Sequence, residues 1–378
     1  MTQIGHVALG SWSGGRFMHF GEEIDEGRLE ALLRPGSDIS TVVTADAYGA
    51  GAADALVGRA LRGLPRDAYA LVGAVGHDFY EGTRAGSKGY PRFTDPSLRG
   101  PDGYRDYLRR ATEASLERCG VDHFDLLMLH NPDRIGYTSE VVWRALADLR
   151  DEGLTTQLGV APGPANGFTL DVISCIERFG SEIDWAMLIL SPFEPWPARL
   201  VLPACVESQI QVLARVVDHG GVFHGDVPDE DQFGPTDHRS FRPAGWVQHG
   251  RDRLERLRPF AERHGLTTLQ LAAQWTLAQP AVSCVVPTLI QEPGPGARDV
   301  EEKRADLAAV PRDVVLSADE LAEIEAIGEN AGCMSLKGGQ PAHEGDERAD
   351  SWPLSDDLRA VARRWRITPE TDLVLQHN

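Results

Sequence analysis

The 378-residue chain is predicted to fold as a (β/α)8 barrel with long loops on its carboxyl face, and three features carry that prediction. Short apolar runs alternate eight times with stretches of helical period between residues 7 and 287. So long a series of β-then-α units must either close on itself or split into domains, and closure into one domain is the simpler solution. The stretch Asp122 to Pro132 reads as a strand buried on both faces, with an apolar core that ends on His130 before Asn131-Pro132 breaks it.

In chain order, Val7 to Leu9 is followed by a helical pattern at Arg28 to Leu33, Thr41 to Thr44 by Asp54 to Leu61, and Ala70 to Val75 by Tyr104 to Cys119. Phe124 to His130 leads to Val141 to Asp151, Leu158 to Val160 to Leu170 to Phe179, and Trp185 to Leu190 to a helix near Ala204. Gln211 to Val216 precedes helical patterns at Leu254 to Arg263 and Leu269 to Leu277, and Cys284 to Pro287 is the last run. Thr267 with Gln270, and Ser317 with Glu320, have the spacing of a capping box, a hydroxyl and a longer polar side chain three residues on. Two long loops, Gly76 to Gly103 and His219 to Gly250, follow strands and are expected to wall a pocket on the carboxyl face. Gln291 to Gly296 is a turn-rich spacer. The barrel is expected over residues 1–330, with 331–378 a tail that packs on it and carries a helix at Asp356 to Trp365.

Composition excludes several classes of function. No run of 18 uncharged apolar residues is present, so no membrane-spanning helix is expected, and Met1 to His6 lacks the basic-then-apolar pattern of a secretion signal. A cytoplasmic protein is the expectation. Five widely spaced cysteines (Cys119, Cys175, Cys205, Cys284, Cys333) with no paired spacing argue against a disulfide framework or a metal site. A formal charge of −20 repels phosphate backbones and anionic lipid, which argues against nucleic-acid and membrane partners. The expected partner is a small molecule.

Five motifs, in this order and spacing, carry a resemblance: Val43 to Gly49, Val57 to Leu61, Ser115 to Gly120, Asp125 to His130 and Leu158 to Val160. Over roughly residues 5 to 330 the chain resembles the aldo-keto reductase superfamily. That resemblance implies a barrel that binds NADPH or NADH at its carboxyl face and reduces aldehydes or ketones with an Asp, Tyr, Lys, His tetrad. Tyr48 falls on the family tyrosine, the proton donor, and His130 on the histidine that polarises the carbonyl. At the aspartate and lysine positions this chain has Val43 and Ala74, so the tetrad is incomplete. The two losses are chemically coupled, because without a carboxylate at 43 no buried charge is left wanting a partner. Side chains that would hold the nicotinamide carboxamide are replaced by Ala161, Pro162 and Met187, and Thr288-Leu289 stands where an adenosine phosphate would be held.

The residues leave other roles open. Arg215 could hold the cofactor or an acidic substrate, or serve only in an ion pair. Thr288 and Arg298 are the remaining candidates for cofactor binding. Asp46, two residues before Tyr48 and on the same face of an extended segment, is a replacement carboxylate or a loop cap. His77, Lys88 and Lys337 are candidates for the missing cation, with solvated loop residues as the plain alternative. Three functions follow: a reductase of a carbonyl or imine with an altered proton relay; a non-redox lyase, dehydratase or isomerase acting on a carbonyl or sugar-like substrate through Tyr48 and His130; or a non-catalytic binding subunit.

Overall fold

In the computed structural model, eight parallel strands follow one another around a single sheet in sequence order, each hydrogen-bonded to the next. They are β1 (Ala8–Gly10), β2 (Thr41–Val43), β3 (Ala70–Val75), β4 (Leu126–His130), β5 (Leu158–Ala161), β6 (Trp185–Ile189), β7 (Gln211–Arg215) and β8 (Val282–Val286). The first and last strands meet through a parallel bridge between Val7 and Val285, where the Val285 amide donates to the His6 carbonyl at 2.9 Å. The fold is the (β/α)8 barrel. The structure describes residues 2–85, 89–163, 168–329 and 352–373. Lys88, Lys337 and Cys333 lie outside the described residues.

Twelve helices are labelled here: α1 (Glu26–Leu33), α2 (Ala52–Leu61), α3 (Tyr104–Cys119), α4 (Arg134–Thr138), α5 (Glu140–Asp151), α6 (Thr169–Phe179), α7 (Ala198–Glu207), α8 (Trp246–His264), α9 (Thr268–Leu277), α10 (Val300–Ala308), α11 (Ala318–Gly328) and α12 (Asp356–Trp365). Both expected capping boxes form, at Thr267 before α9 and Ser317 before α11. α8 starts at Trp246, eight residues before the expected pattern at Leu254. Its first turn is capped from a distance, because the Glu230 carboxylate accepts the Gly245 and Val247 amides at 3.0 Å each. α4 was not visible in the apolar pattern; Asp133 caps it by accepting the Gly136 amide at 2.8 Å.

The barrel interior is packed with small and medium apolar side chains. Ala8, Val43, Ala70, Val72, Ala74, Leu126, Met128, Trp185, Met187, Leu213, Cys284 and Val286 form one buried cluster, and Tyr48 packs on it. Alanines on β1 and β3 leave room for the large Met128 and Trp185. The carboxyl-face loops are held by buried ion pairs. In the loop after β3, Arg99 pairs with Asp78 and its guanidinium lies 4.5 Å over the Tyr107 ring. In the loop after β7, Arg239 bridges Asp237 and Glu292. Beyond the barrel, α12 lies against α6, where Arg364 pairs with Glu177. Trp352 donates from Nε1 to Asp171 Oδ1 at 2.9 Å and stacks on Phe168 at 4.5 Å.

One glycine ties the fold to the end of β4. A Cβ on Gly76, just past β3, would stand 2.5 Å from the carbonyl oxygen and 3.2 Å from the amide nitrogen of His130. Backbone cannot yield as a flexible side chain can. Gly76→Ala is therefore expected to destabilise the protein by about 1–3 kcal/mol, read as a lower urea midpoint at unchanged slope. An unchanged midpoint would show that the β3 and β4 ends are loosely joined.

Candidate functional site

Tyr48 owes its place to a tight turn. After β2 the chain leaves the extended conformation, the Tyr48 amide donates to the Ala45 carbonyl at 3.0 Å, and Gly49 and Ala50 take left-handed backbone with φ of 59° and 51°. The turn brings the phenol ring edge-on between Trp12, 6.3 Å away, and His130, 5.6 Å away. Among the described residues its hydroxyl makes no hydrogen bond. His130 is the last residue of β4, paired in register with Ala161 of β5. Its side chain is buried, and Nδ1 has no hydrogen-bond partner. A buried ring nitrogen without a partner is uncommon in a folded protein and marks His130 as a residue held for more than packing.

A second imidazole stands behind the first. His77 lies 5.1 Å from His130, ring centre to ring centre. Its Nε2 faces the Asn131 side-chain amide at 3.0 Å and its Nδ1 faces the Tyr90 carbonyl at 2.9 Å, a pairing that assigns the proton to Nδ1. Arg92 donates from Nε to the Asn131 carbonyl and bridges to His77 across the loop. At the end of β7, Arg215 donates from Nη2 to the Pro162 carbonyl at 3.2 Å. Arg92 and Asn131 carried no signal in the sequence, since Arg92 sits deep in a long loop and its role depends on that loop folding back.

The electrostatics keep both imidazoles neutral. Burial lowers the His77 pKa from 6.5 to about 3, with the Arg92 charge adding to the effect. Burial also pushes His130 well below its ordinary value, and His77, Arg92 and Arg215 act in the same direction. Tyr48 is raised by burial, with Arg215 opposing the rise. The tyrosine is thus a neutral acid across the physiological range.

The other sequence candidates go elsewhere. Asp46 does not share a face with Tyr48, because the turn ends the strand alternation on which that expectation rested. Its carboxyl is fully buried, without a hydrogen-bond partner, and the groups acting on it are Asp54 of α2, Arg118 of α3 and Asp78. Burial raises its pKa well above the carboxylate range. Thr288 is engaged through its backbone, the amide donating to Asp218 at 2.7 Å and the carbonyl facing His224 at 2.8 Å. Arg298 pairs with Asp306 at 2.9 Å. Val43 and Ala74 line the interior with Tyr48, as their places on β2 and β3 require. The four described cysteines are buried and unpaired, and no cluster of three or more metal-binding side chains occurs among the described residues. No helix of the described residues is long and apolar enough to cross a membrane.

A small cleft opens at the carboxyl ends of β5, β6 and β7. Pro162, Phe168, Val172, Met187 and Pro197 wall it, and Arg215 is its charged lining residue. Met187, which belongs to the interior cluster on which Tyr48 packs, and Arg215, whose charge acts on both Tyr48 and His130, connect the cleft to that pair.

The aldo/keto reductase family model matches residues 8–329. D-threo-aldose 1-dehydrogenase from Pseudomonas sp is 27% identical over 259 residues, covering 64% of this chain and 73% of that one. Among solved structures, the glycerol dehydrogenase from Gluconobacter oxydans superposes with a TM-score of 0.65 at 21% identity, covering 86% of this chain and 92% of that one. An aldo/keto reductase from Klebsiella pneumoniae in complex with NADP and acetate gives a TM-score of 0.56 at 24% identity, covering 85% and 90% of the two chains.

The neutral imidazoles can be read directly. The ring Cε1–H NMR signals of His77 and His130 are expected to stay at neutral-form positions from pH 8 down to about 5, where an unperturbed histidine is mostly charged. Because the folded His77 pKa of about 3 lies below the ordinary 6.5, the unfolded chain takes up the proton first. His77 therefore withdraws stability as pH falls through that window. A midpoint near 6.5 for either ring would overturn this electrostatic description.

Proposed function

The chain belongs to the aldo/keto reductase family, and on that premise we propose that it is a nicotinamide-dependent oxidoreductase of a small carbonyl or sugar-like compound, working through Tyr48 and His130. The observation that carries the reading is the edge-on pair at the carboxyl ends of β2 and β4, with ring centres 5.6 Å apart, on which the charge of the cleft residue Arg215 acts. The relatives point the same way: one is named a dehydrogenase of an aldose, and a structural neighbour holds NADP.

The cleft offers apolar walls at Pro162, Phe168 and Met187 against which the face of a flat ring could lie. Since Ala161, Pro162 and Met187 offer no side-chain hydrogen bond, the carboxamide is left to main-chain groups. When bound, the nicotinamide supplies or accepts a hydride. The chain's own part is acid–base and positional. Tyr48, protonated because burial raises its pKa, gives its proton to the carbonyl oxygen as that oxygen gains charge. His130, held neutral, donates a hydrogen bond from its ring N–H to the same oxygen without adding a charge. Arg215 favours the phenolate left behind, and so takes over electrostatically what the lysine does in a complete tetrad. With valine at 43 there is no carboxylate to neutralise that cation.

A second reading, a non-redox acid–base enzyme using the same pair, is favoured by one observation, the loss of hydrogen-bonding side chains at 161, 162 and 187. Calorimetric titration with NADH and NADPH separates the two. Micromolar binding of either is the expected result, and no binding at millimolar concentration would leave only the second reading. Tyr48→Phe and His130→Ala are each expected to lower turnover about a hundredfold or more, with substrate binding less affected. Near-normal turnover in both would sink the assignment of this pair.

A further inference from the structure

The charged groups acting on the Tyr48–His130 pair have one sign, in a chain whose formal net charge is −20. On His130 they are Arg92 and Arg215, His77 being neutral, and on Tyr48 it is Arg215. The nearby carboxylates are engaged elsewhere. Glu194 meets His219 at 3.1 Å and Arg242 at 3.4 Å. Asp133 accepts the Thr94 hydroxyl at 2.6 Å and the Gly136 amide at 2.8 Å. Asp46 faces α2 and α3. Valine replaces the carboxylate that the resemblance would put at 43.

Arg215 stands apart from the other arginines of this face. Arg99 pairs with Asp78, Arg239 with Asp237 and Glu292, and Arg242 with Glu194. Arg215 has a single neutral acceptor, the Pro162 carbonyl, and among the described residues no carboxylate within ion-pair distance. It lines the cleft, so a small ligand can reach it, while its surroundings depress its pKa by desolvation. The carboxylate whose charge reaches it, Glu194, is itself bound to His219 and Arg242, and a guanidinium withdrawn from bulk water without an ion pair of its own is a costly arrangement. The same planar group, with donors to spare, is the side chain best shaped to take a carboxylate through two parallel hydrogen bonds.

We infer that the substrate is an anionic carbonyl compound, an oxo acid or an acidic sugar, whose carboxylate is held by Arg215 while its carbonyl faces Tyr48 and His130. The inference rests on the oxidoreductase reading of the same site and names the substrate class. A carboxylate on Arg215 completes the ion pair that the fold leaves open. It also offsets the local excess of positive charge, so the cleft selects acids over neutral carbonyls of equal size.

The test compares matched acids and neutral counterparts by calorimetry on the full chain: pyruvate against methyl pyruvate, and glucuronate against glucose. The expected result is that at least one acid binds about tenfold or more tightly than its counterpart, as a charge-assisted bidentate contact would give. Arg215→Gln should abolish that preference and Arg215→Lys should keep part of it, with melting curves confirming that both variants fold. Equal binding within both pairs, no binding of either acid up to 100 mM, or a preference that survives in a folded Arg215→Gln protein would overturn the inference. Should the variants not fold, the wild-type comparison still decides. Nicotinamide binding without acid preference would sink this inference alone, whereas acid preference without nicotinamide binding would sink only the oxidoreductase reading.

Discussion

Closure of the parallel ladder between β1 and β8 is the constraint on which the site depends. Because every strand runs the same way, every strand end that carries a functional side chain emerges on one rim. The register then fixes neighbours. His130 sits beside Ala161, and Arg215 beside Ile189 on one side and Val286 on the other. His130 and Arg215, 85 positions apart in the chain, thus come near enough for the charge of one to act on the other without any direct bond between them. The price is that the interior must be filled, and the apolar layers from Ala8 to Val286 do so up to the level of Tyr48.

That filled interior needs no charged pair at the tops of β2 and β3. Val43 and Ala74 extend the apolar packing to the top of β2 and β3, where an aspartate and a lysine would each have had to be paired. Removing both leaves neither an uncompensated carboxylate nor an uncompensated ammonium. Tyr48 stands in surroundings that favour its neutral form, and the opposing influence arrives from across the barrel, at Arg215. In the proposed reading, a remote cation serves where a local one would. Proton transfer is then more dependent on what the substrate itself brings to the cleft.

The strands, the helix order and the capping boxes were legible because periodicity and spacing are local. Asp356–Trp365 is helical over the very residues its pattern marks, with Ser355 as its cap. What escaped the sequence depended on contacts between distant segments. Nothing near Trp246 announces a helix start, because the cap is Glu230, across a loop. Asp46 looked like a neighbour of Tyr48 so long as the strand was taken to continue, and the turn at Ala45 sends it into the layer between barrel and helices. Tyr48, His130, His77 and Arg215 were readable as candidates. Which of the cations faces the cleft was not, since that is decided by the partners each one finds on folding.

The partners of the cations separate scaffold from site. Around the loops after β7 and β8, Lys303 is buried against Asp226 at 2.6 Å, Arg239 is locked between Asp237 and Glu292, and Arg298 lies on Asp306. Breaking such a buried pair typically costs about 3–5 kcal/mol, so these charges cannot turn toward a ligand without loosening the loops they hold. Arg215 can, because its single bond is to a carbonyl and its other donors have no acidic partner to leave. Among the described residues of that cleft Arg215 is the guanidinium without an ion pair, so in the inferred reading the recognition of charge is concentrated at a single point. Selectivity at such a point comes from what the guanidinium lacks before the ligand arrives.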